Sequence, residues 1–215
     1  MAIKNILFDL DGTLLDTNEL IIQSFQHTFK THLNKHIEKE AIIKNFGEIL
    51  KTTLDREFGD ASEEAIKTYR NFQVGNFEKL ITIQSGVVEG VKELHRQGYK
   101  LGVVTSRLND SAIKALNHFA LKNYFESIIG ADNTDKYKPD PTPAFLALKE
   151  LGGKPEETIL VGDSPYDVLC GKNAGITSVV VGWSALPMDM ILKYEPDYVV
   201  DSMEELMKLI EKLKD

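Results

Sequence analysis

The first residues that could carry chemistry are Asp9 and Asp11, in the stretch NILFDLDGTLLDT at positions 5–17. The apolar run that ends at Phe8 predicts a strand, and because side chains alternate between strand faces, both carboxylates project from one side of its carboxyl end. Two neighbouring anions need a counter-charge, and Gly12 permits a sharp turn beside them. The pair is therefore a candidate reaction site, with a polar turn that caps the next helix as the alternative.

Polar residues also follow three later apolar segments that have the character of strands. Thr105 ends VVT, Lys138 lies in KYKPDP, and VGDSPYD contains Asp163 and Asp167. In a parallel sheet, ligands bind beyond the carboxyl ends of the strands, so these residues are expected to meet at one edge. Each has a structural alternative as a helix cap, a solvated lysine or a first-turn acid. Their recurrence at four strand ends favours a common site.

The surrounding sequence predicts the elements that position these residues. Short apolar segments alternate with segments whose apolar residues recur at helical spacing, and Ser202 with Glu205 has the capping pattern of a last helix. Such alternation implies parallel strands joined by right-handed crossovers. We therefore predict an α/β fold, with a Rossmann-like parallel sheet core flanked by helices. The predicted strands cover residues 3–9, 99–105, 126–130, 158–162, 178–182 and 197–200.

Residues 16–81 interrupt this alternation, because every local signal in them is helical. Asp16 and Glu19 have the spacing of a capping box, and apolar residues follow at helical spacing. Further helices fit residues 38–46, 48–58 and 62–81. We predict an all-α helical-bundle cap domain over residues 16–81, inserted into a core domain formed by residues 1–15 and 82–215.

The composition is that of an ordinary globular protein with an acidic surface. The 215 residues carry a formal net charge of −8, which argues against a broad surface for nucleic acid or anionic membranes. An anionic substrate would have to be attracted by local cations or a bound metal. The apolar run that stops at Asp9 does not predict a signal peptide, and no later stretch reaches about 18 apolar residues. The one cysteine, Cys170, excludes an internal disulfide and fits a reducing compartment. Because neither a signal peptide nor a long apolar stretch is predicted, a cytoplasmic protein is expected.

The ordered set DLDGTLLD, the strand-end Thr105, Lys138 in KPDP, and GDSPYD resembles the four motifs of the haloacid dehalogenase superfamily. The resemblance is specifically to phosphatases with a helical cap after the first strand, and it spans nearly the whole chain. It implies that Asp9 is a nucleophile that forms an aspartyl-phosphate. It implies that Asp11 is the general acid and base, so Asp11 must hold a proton while Asp9 does not.

The same resemblance implies a metal and a phosphoryl-binding set. Mg²⁺ would be held by Asp9, the backbone carbonyl of Asp11 and Asp163, with Asp167 supporting them from nearby. Thr105, with Ser106 beside it, and Lys138 would hold the transferred phosphoryl group. Mg²⁺ and the ammonium would offset the repulsion between an attacking carboxylate and a phosphate. The implied partner is a small phosphorylated metabolite.

Three segments narrow the expected substrate, since DTNELIIQSF, YRNF and KNAG resemble PpaX-type pyrophosphatases most and phosphoglycolate phosphatases next. Inorganic pyrophosphate is therefore the expected substrate, with phosphoglycolate or another small phosphomonoester as the alternative. The segment NFGEILK resembles the family's cap loop, with Gly47 at its turn. Lys51 is a candidate cation for a charged leaving group, or else part of a solvated helix face. Glu48 would oppose such a group if it points inward.

Other functions remain open at this point. β-Phosphoglucomutases resemble the chain through the first motif but carry a cap histidine near the position of Ile21, which His27 and His32 do not obviously replace. A receiver domain also combines Mg²⁺, an aspartyl-phosphate, a threonine and a lysine. It is expected to place its acceptor on a middle strand and to lack a helical insertion. A binding module without turnover is the third alternative, and the intact Asp11 argues against it.

Overall fold

The computed structural model of the chain describes residues 2–214, in which strands and helices alternate except for four successive helices after the second strand. None of the helices described is long and apolar enough to cross a membrane. The strands are β1 (Asn5–Phe8), β2 (Leu15–Asp16), β3 (Thr82–Ile83), β4 (Lys100–Val104), β5 (Ser127–Ile129), β6 (Thr158–Gly162), β7 (Thr177–Val181) and β8 (Tyr198–Val200). The helices are α1 (Asn18–Leu33), α2 (Lys39–Ile43), α3 (Leu50–Phe58), α4 (Ser62–Leu80), α5 (Val87–Arg96), α6 (Asn109–His118), α7 (Thr142–Leu151), α8 (Pro165–Ala174), α9 (Met188–Leu192) and α10 (Met203–Lys212).

Six of these strands form one sheet in the order β5-β4-β1-β6-β7-β8, and every neighbouring pair is parallel. The predicted α/β class and parallel sheet are confirmed. All four residues of β1 and all five of β6 are buried, as expected of strands covered on both faces. Because β1 lies between β4 and β6, the chain segments that leave these three strands emerge side by side.

Two apolar layers hold the sheet, one on each face. Ile6 and Phe8 pack in a cluster that includes residues of α5, α6 and α10, whereas Leu7 packs in a cluster with residues of α7 and α8. In β6, Leu160 belongs to the second cluster and its two neighbours to the first. The period-two alternation of the strands thus fixes which helix covers which face, and hence how each strand end is presented.

The segment that contains helices α1 to α4 begins and ends at a short antiparallel ribbon formed by β2 and β3. In this ribbon Leu15 pairs with Ile83 and Asp16 with Thr82. Their apolar residues form a third cluster that also contains Val168 and residues of β7 and α9. The predicted boundaries near residues 15 and 82 lie at this ribbon, and the division into a core and a cap domain stays a prediction.

Of the two helix starts predicted from capping patterns, the structure contains one and not the other. The capping box at Asp16 and Glu19 is wrong, because pairing with Thr82 holds Asp16 in β2, and the N-cap of α1 is Thr17. Instead, the Asp16 carboxylate accepts a hydrogen bond from the backbone N–H of Asn18 at 3.1 Å. At α10 the prediction holds, since the Ser202 hydroxyl accepts from the backbone N–H of Glu205 at 3.1 Å.

Candidate active site

The carboxyl ends of β1, β4 and β6 converge on a cavity of about 270 Å³ between the sheet edge and the helical insertion. Asp9 continues the pairing beyond β1, because its N–H donates to Val161 O at 2.8 Å. The sheet side of the cavity wall contains Asp9, Asp11, Thr105, Ser106, Arg107 and Asp163, and the insertion side contains Phe25, Asn45, Phe46, Gly47, Glu48, Leu50, Tyr69 and Arg70. The strand ends therefore assemble the polar set that the sequence predicted to lie together.

Lys138 is the cation at the centre of this edge, and only 2% of its side chain is exposed. Its ammonium lies 2.9 Å from Asp9 Oδ1 and 2.6 Å from Asp167 Oδ1, and it donates to Val104 O at 3.1 Å. Burial alone would favour the neutral amine, but the charges of Asp167 and Asp9 hold the pKa of Lys138 above its ordinary value. The lysine is therefore charged and fixed in place.

Three buried carboxylates share this one ammonium. Asp9, Asp163 and Asp167 can each present an oxygen within 4.8 Å of the other two. Burial, together with the charges of Asp167 and Asp11, raises the pKa of Asp9 to about 7 despite Lys138. Burial and the charges of Asp9 and Asp167 raise the pKa of Asp163 well above its usual range. The one ammonium does not balance three carboxylates, and this donor set can hold an oxygen-preferring cation.

Asp167 has a structural role as well as a place in the cluster. Its Oδ2 accepts from the Ser164 N–H at 3.1 Å and from the Ser164 hydroxyl at 2.6 Å, which completes a capping box at the start of α8. Its Oδ1 accepts from Lys138. Both interpretations of Asp167 from sequence, first-turn acid and site residue, agree with its position.

Gly12 permits the close approach between the loop after β1 and the loop after β6. Its φ of +83° lies in the left-handed region, and a Cβ built on it would lie 2.2 Å from Asp163 Oδ2. Asp163 cannot easily retreat, because it is 3% exposed and its backbone carbonyl accepts from the Ser184 hydroxyl at 2.7 Å. A glycine is therefore needed here for both conformation and space.

Arg107 is a site residue that the sequence analysis missed. Its Nε and Nη2 donate to the two carboxylate oxygens of Asp11 at 2.9 and 2.7 Å, and its Nη1 donates to Ser111 Oγ at 3.0 Å. The side chain is 6% exposed. The signal available in the sequence was an arginine two residues after the strand-end Thr105, whose hydroxyl accepts the Arg107 N–H at 3.2 Å.

The pair with Arg107 changes the expected electrostatics of the two aspartates. Burial acts to raise the pKa of Asp11, but the charge and hydrogen bonds of Arg107 outweigh it and hold that pKa below its ordinary value. The pKa of Asp9 is raised instead. The environments do separate the two pKa values, but in the direction opposite to the expected proton on Asp11, because each aspartate faces a different cation.

The predicted cap loop reaches the sheet edge at Gly47. The Gly47 carbonyl accepts from the Ser106 hydroxyl at 3.1 Å, and a Cβ on Gly47 would lie 2.8 Å from both Ser164 Oγ and Tyr166 Cδ2. Gly47 and Ser106 therefore lie together at the cavity, as predicted, and they join the insertion to two of the strand-end loops.

The structure does not bring Lys51 to the cavity. Its side chain is 67% exposed on α3, and its ammonium bonds Asp55, four residues further along the helix, at 2.6 Å. Glu48 does line the cavity, but Arg56 donates to both of its oxygens at 3.0 Å and Thr53 donates at 2.6 Å. Lys51 as a leaving-group cation is thus a wrong prediction, and the expected opposition from Glu48 is offset by Arg56.

The cations that do line the cavity are Arg70 from α4, Arg107, and Lys114 from α6. The Lys114 ammonium lies over the Phe77 ring, 5.5 Å from its centroid. The sequence analysis named none of the three. Ile21 also lines the wall. Neither His32, which bonds Thr68 at 2.8 Å, nor the exposed His27, which stacks on Phe72, is among the lining residues.

The chain has a parallel α/β sheet with buried carboxylates and a lysine at its carboxyl edge, covered by a helical insertion. Its family match and its relatives identify it as a phosphatase of the hydrolase class. The chain belongs to the haloacid dehalogenase-like hydrolase family, whose profile matches residues 6–181.

Two kinds of relative accompany this match. The chain is 41% identical over 210 residues to the pyrophosphatase PpaX of Halalkalibacterium halodurans, which covers 98% of each chain. A crystal structure described as a predicted phosphatase from Clostridium acetobutylicum aligns with a TM-score of 0.88 and 25% identity, over 99% of this chain and 100% of that one. A predicted phosphoglycolate phosphatase from Haemophilus somnus shares the fold, with a TM-score of 0.85 and 22% identity over 96% and 97% of the chains.

Proposed function

We propose that the chain is a Mg²⁺-dependent phosphohydrolase that acts through an aspartyl-phosphate on Asp9, with inorganic pyrophosphate as its substrate. The observation that carries the proposal is the buried Asp9, 2.9 Å from the Lys138 ammonium and grouped with Asp163 on the wall of a cavity that also contains three cations. A carboxylate in that setting can attack an electrophile that itself carries negative charge.

The acidic cluster fits a small divalent cation with a preference for oxygen. Asp9 and Asp163 each have a raised pKa and more negative charge around them than Lys138 can offset, which is the imbalance that a bound cation removes. Asp9, Asp163 and the backbone carbonyl of Asp11 would hold it, while Asp167 is held by Ser164 and Lys138 and supports them. Bound Mg²⁺ supplies charge stabilisation to the phosphoryl oxygens.

The phosphoryl group is then transferred in two steps, in which each residue has its own role. A carboxylate oxygen of Asp9 bonds to phosphorus, the bond from phosphorus to the leaving oxygen breaks, and Asp11 supplies a proton to that oxygen. Asp11 next takes a proton from water as the water oxygen attacks phosphorus, and the bond to Asp9 breaks to release phosphate. Thr105, at the end of β4, and Lys138 hold the phosphoryl oxygens through both steps. For Asp11 to carry a proton, its pair with Arg107 must loosen.

Pyrophosphate is favoured by the charges of the wall and by the relative from Halalkalibacterium halodurans, named a pyrophosphatase. Arg70, Arg107 and Lys114 line the cavity that a leaving group would occupy, and Arg56 offsets Glu48. A second candidate is a small organic phosphomonoester such as phosphoglycolate. It is favoured by the apolar side chains in the same wall, which include Phe25, Phe46, Leu50 and Phe77.

The experiment that tests the proposal is phosphate release from pyrophosphate, phosphoglycolate and phenyl phosphate with Mg²⁺ and after exhaustive chelation. We expect kcat/KM for pyrophosphate to exceed that for phosphoglycolate by about tenfold, which is the effect of one additional hydrogen bond between charged groups. We also expect all activity to require the cation. A clear preference for phosphoglycolate would promote the second candidate. Full activity after chelation would refute the metal.

The raised pKa of Asp9 gives the metal-free protein a characteristic response to pH. Between the ordinary value of 3.8 and about 7, the folded state holds more protons than the unfolded chain, so stability is lost as pH rises through this window. Asp163 acts with the same sign. Because protons compete with the cation, we expect Mg²⁺ to raise Tm by about 5 to 10 °C at pH 8 and by much less at pH 5.

Differential scanning calorimetry of the metal-free and Mg²⁺-saturated protein at both pH values measures this difference. Asp9→Asn removes one of the titrating ligands, so its Mg²⁺-induced shift should be small at both pH values. A shift in the unmodified protein that is as large at pH 5 as at pH 8 would contradict the assignment of these carboxylates to the cation.

A further inference from the structure

We infer that Arg107, assisted by Ser111, is the receptor for an anionic leaving group and makes the enzyme selective for substrates whose leaving group carries negative charge. This inference rests on the proposed phosphohydrolase function and deepens it. It assigns to Arg107 the role that the sequence gave to Lys51, whose side chain the structure places outside the cavity.

The position of Arg107 follows from the chemistry of its neighbours. Thr105 is the residue proposed above to hold the phosphoryl group, and its hydroxyl accepts the Arg107 N–H, so the arginine belongs to the same turn. Asp11 must reach the leaving oxygen to protonate it, and both Asp11 oxygens bond the guanidinium. The group attached to that oxygen is therefore brought within a few atoms of Arg107.

The guanidinium has donors left for a ligand. Of its five N–H groups, Asp11 takes two and Ser111 Oγ takes one, which leaves one hydrogen on each terminal nitrogen. Arg107 lines the cavity although only 6% of its side chain is exposed, so it is desolvated and aimed at the space that a substrate fills. The planar fork matches phosphate and carboxylate oxygens, which a lysine ammonium would not.

The surrounding charges favour an anion here. Asp11 is the only carboxylate that forms an ion pair with Arg107 in residues 2–214. Arg70 and Lys114 line the same cavity, and their side chains are not in ion pairs within the described part of the chain. A leaving phosphate or carboxylate in this cavity would thus meet three cationic side chains and share Arg107 with Asp11.

The kinetic test compares Arg107→Gln and Arg107→Lys with the unmodified enzyme on three substrates. Pyrophosphate and phosphoglycolate have anionic leaving groups, whereas phenyl phosphate does not. Loss of the Arg107–Asp11 pair weakens proton donation by Asp11 on all three substrates, and most for the most basic leaving oxygen. The informative quantity is therefore the ratio of the losses, first for pyrophosphate, because its leaving phosphate needs a proton less than phenolate does. We expect kcat/KM to fall about 30-fold further on the two anionic substrates than on phenyl phosphate, with Arg107→Lys intermediate. Arg96→Gln, an exposed arginine paired with Glu93, is the matched control and should leave all three rates unchanged.

A binding measurement separates recognition from turnover. In an Asp9→Asn background, calorimetry at saturating Mg²⁺ gives the affinities for methylenediphosphonate and for inorganic phosphate. Arg107→Gln should weaken methylenediphosphonate by about 30-fold and leave phosphate nearly unchanged. Arg107→Lys keeps the charge, so it provides the same comparison if Arg107→Gln does not fold.

The outcomes distinguish this inference from the proposed function. An enzyme that hydrolyses phosphoglycolate but not pyrophosphate refutes the proposed substrate, and the comparison with phenyl phosphate still tests Arg107. Equal losses on all three substrates, with equal weakening of both ligands, would show that Arg107 only positions Asp11 and would overturn the inference. Unchanged selectivity in both variants would also overturn it.

Discussion

Asp9→Asn is expected to lower kcat by on the order of 10⁴ or more, because the amide lacks the charge and nucleophilicity of the carboxylate that we propose as the attacking group. The fold should survive. The amide is nearly isosteric, and Lys138 keeps its contacts with Asp167 and with Val104 O. Replacing a buried carboxylate whose pKa is raised to about 7 removes an unfavourable charge, so the metal-free variant should be at least as stable at pH 8.

Two measurements test this prediction. Phosphate release gives the turnover rate, and single-turnover trapping of labelled phosphoprotein gives the amount of aspartyl-phosphate formed. The variant should release almost no phosphate and accumulate no acid-stable label, while the unmodified enzyme accumulates some. Asp16→Asn is the matched control because it makes the same chemical change in β2. The Asp16 side chain accepts from the backbone N–H of Asn18 and does not line the cavity. Activity of Asp9→Asn within tenfold of the control, with an unchanged circular dichroism spectrum, would sink the nucleophile assignment.

The sequence predicted the sheet well, because buried parallel strands must be apolar throughout and their helices must alternate with them. The polar residues at strand ends were predictable for the same reason, since parallel strands bring their carboxyl ends to one edge whatever the loops do. Asp9, Thr105 and Asp163 reach the cavity wall in this way. Lys138 comes later in its loop, and its burial between Asp9 and Asp167 could be inferred only from the family resemblance.

The insertion was harder to interpret because its site residues depend on how helices dock. Arg70 reaches the cavity only through the packing of α4 against α1 and α3, which no local pattern encodes. The failure at Lys51 was avoidable, since Asp55 four residues later is the ordinary helical partner of a lysine. Likewise, Ser164 and Asp167 show the capping-box spacing that the structure contains.

One expected distinction from receiver domains does not distinguish them. The strand that carries Asp9 is first along the chain, but it lies third of six in the sheet, so its acceptor is on a middle strand in space. The helical insertion at residues 18–80 and the family match carry the distinction instead. Position along the sequence and position in a doubly wound sheet differ because crossovers reorder the strands.

Gly12→Ala is expected to lower kcat/KM by on the order of 100-fold and to destabilise the fold by about 2 kcal/mol. The methyl group would lie 2.2 Å from Asp163 Oδ2, so the carboxylate or the turn after Asp11 must move. Asp163 is 3% exposed and tied to Ser184, which makes the turn the more mobile partner. Either displacement changes the spacing between Asp9 and Asp163, and Mg²⁺ affinity should fall with it.

Gly59→Ala separates the steric cause from backbone strain. Gly59 also has a positive φ, of +54°, but a Cβ there would meet no atom within 4 Å. Both variants therefore bear the strain of a side chain at a positive φ, on the order of 1 to 3 kcal/mol, and only Gly12→Ala meets Asp163. Activity, Mg²⁺ affinity by calorimetry and Tm are measured on both. If Gly12→Ala lost stability but kept its kcat/KM and Mg²⁺ affinity at the level of Gly59→Ala, the close approach would serve the fold alone and Asp163 would not be a ligand whose position matters.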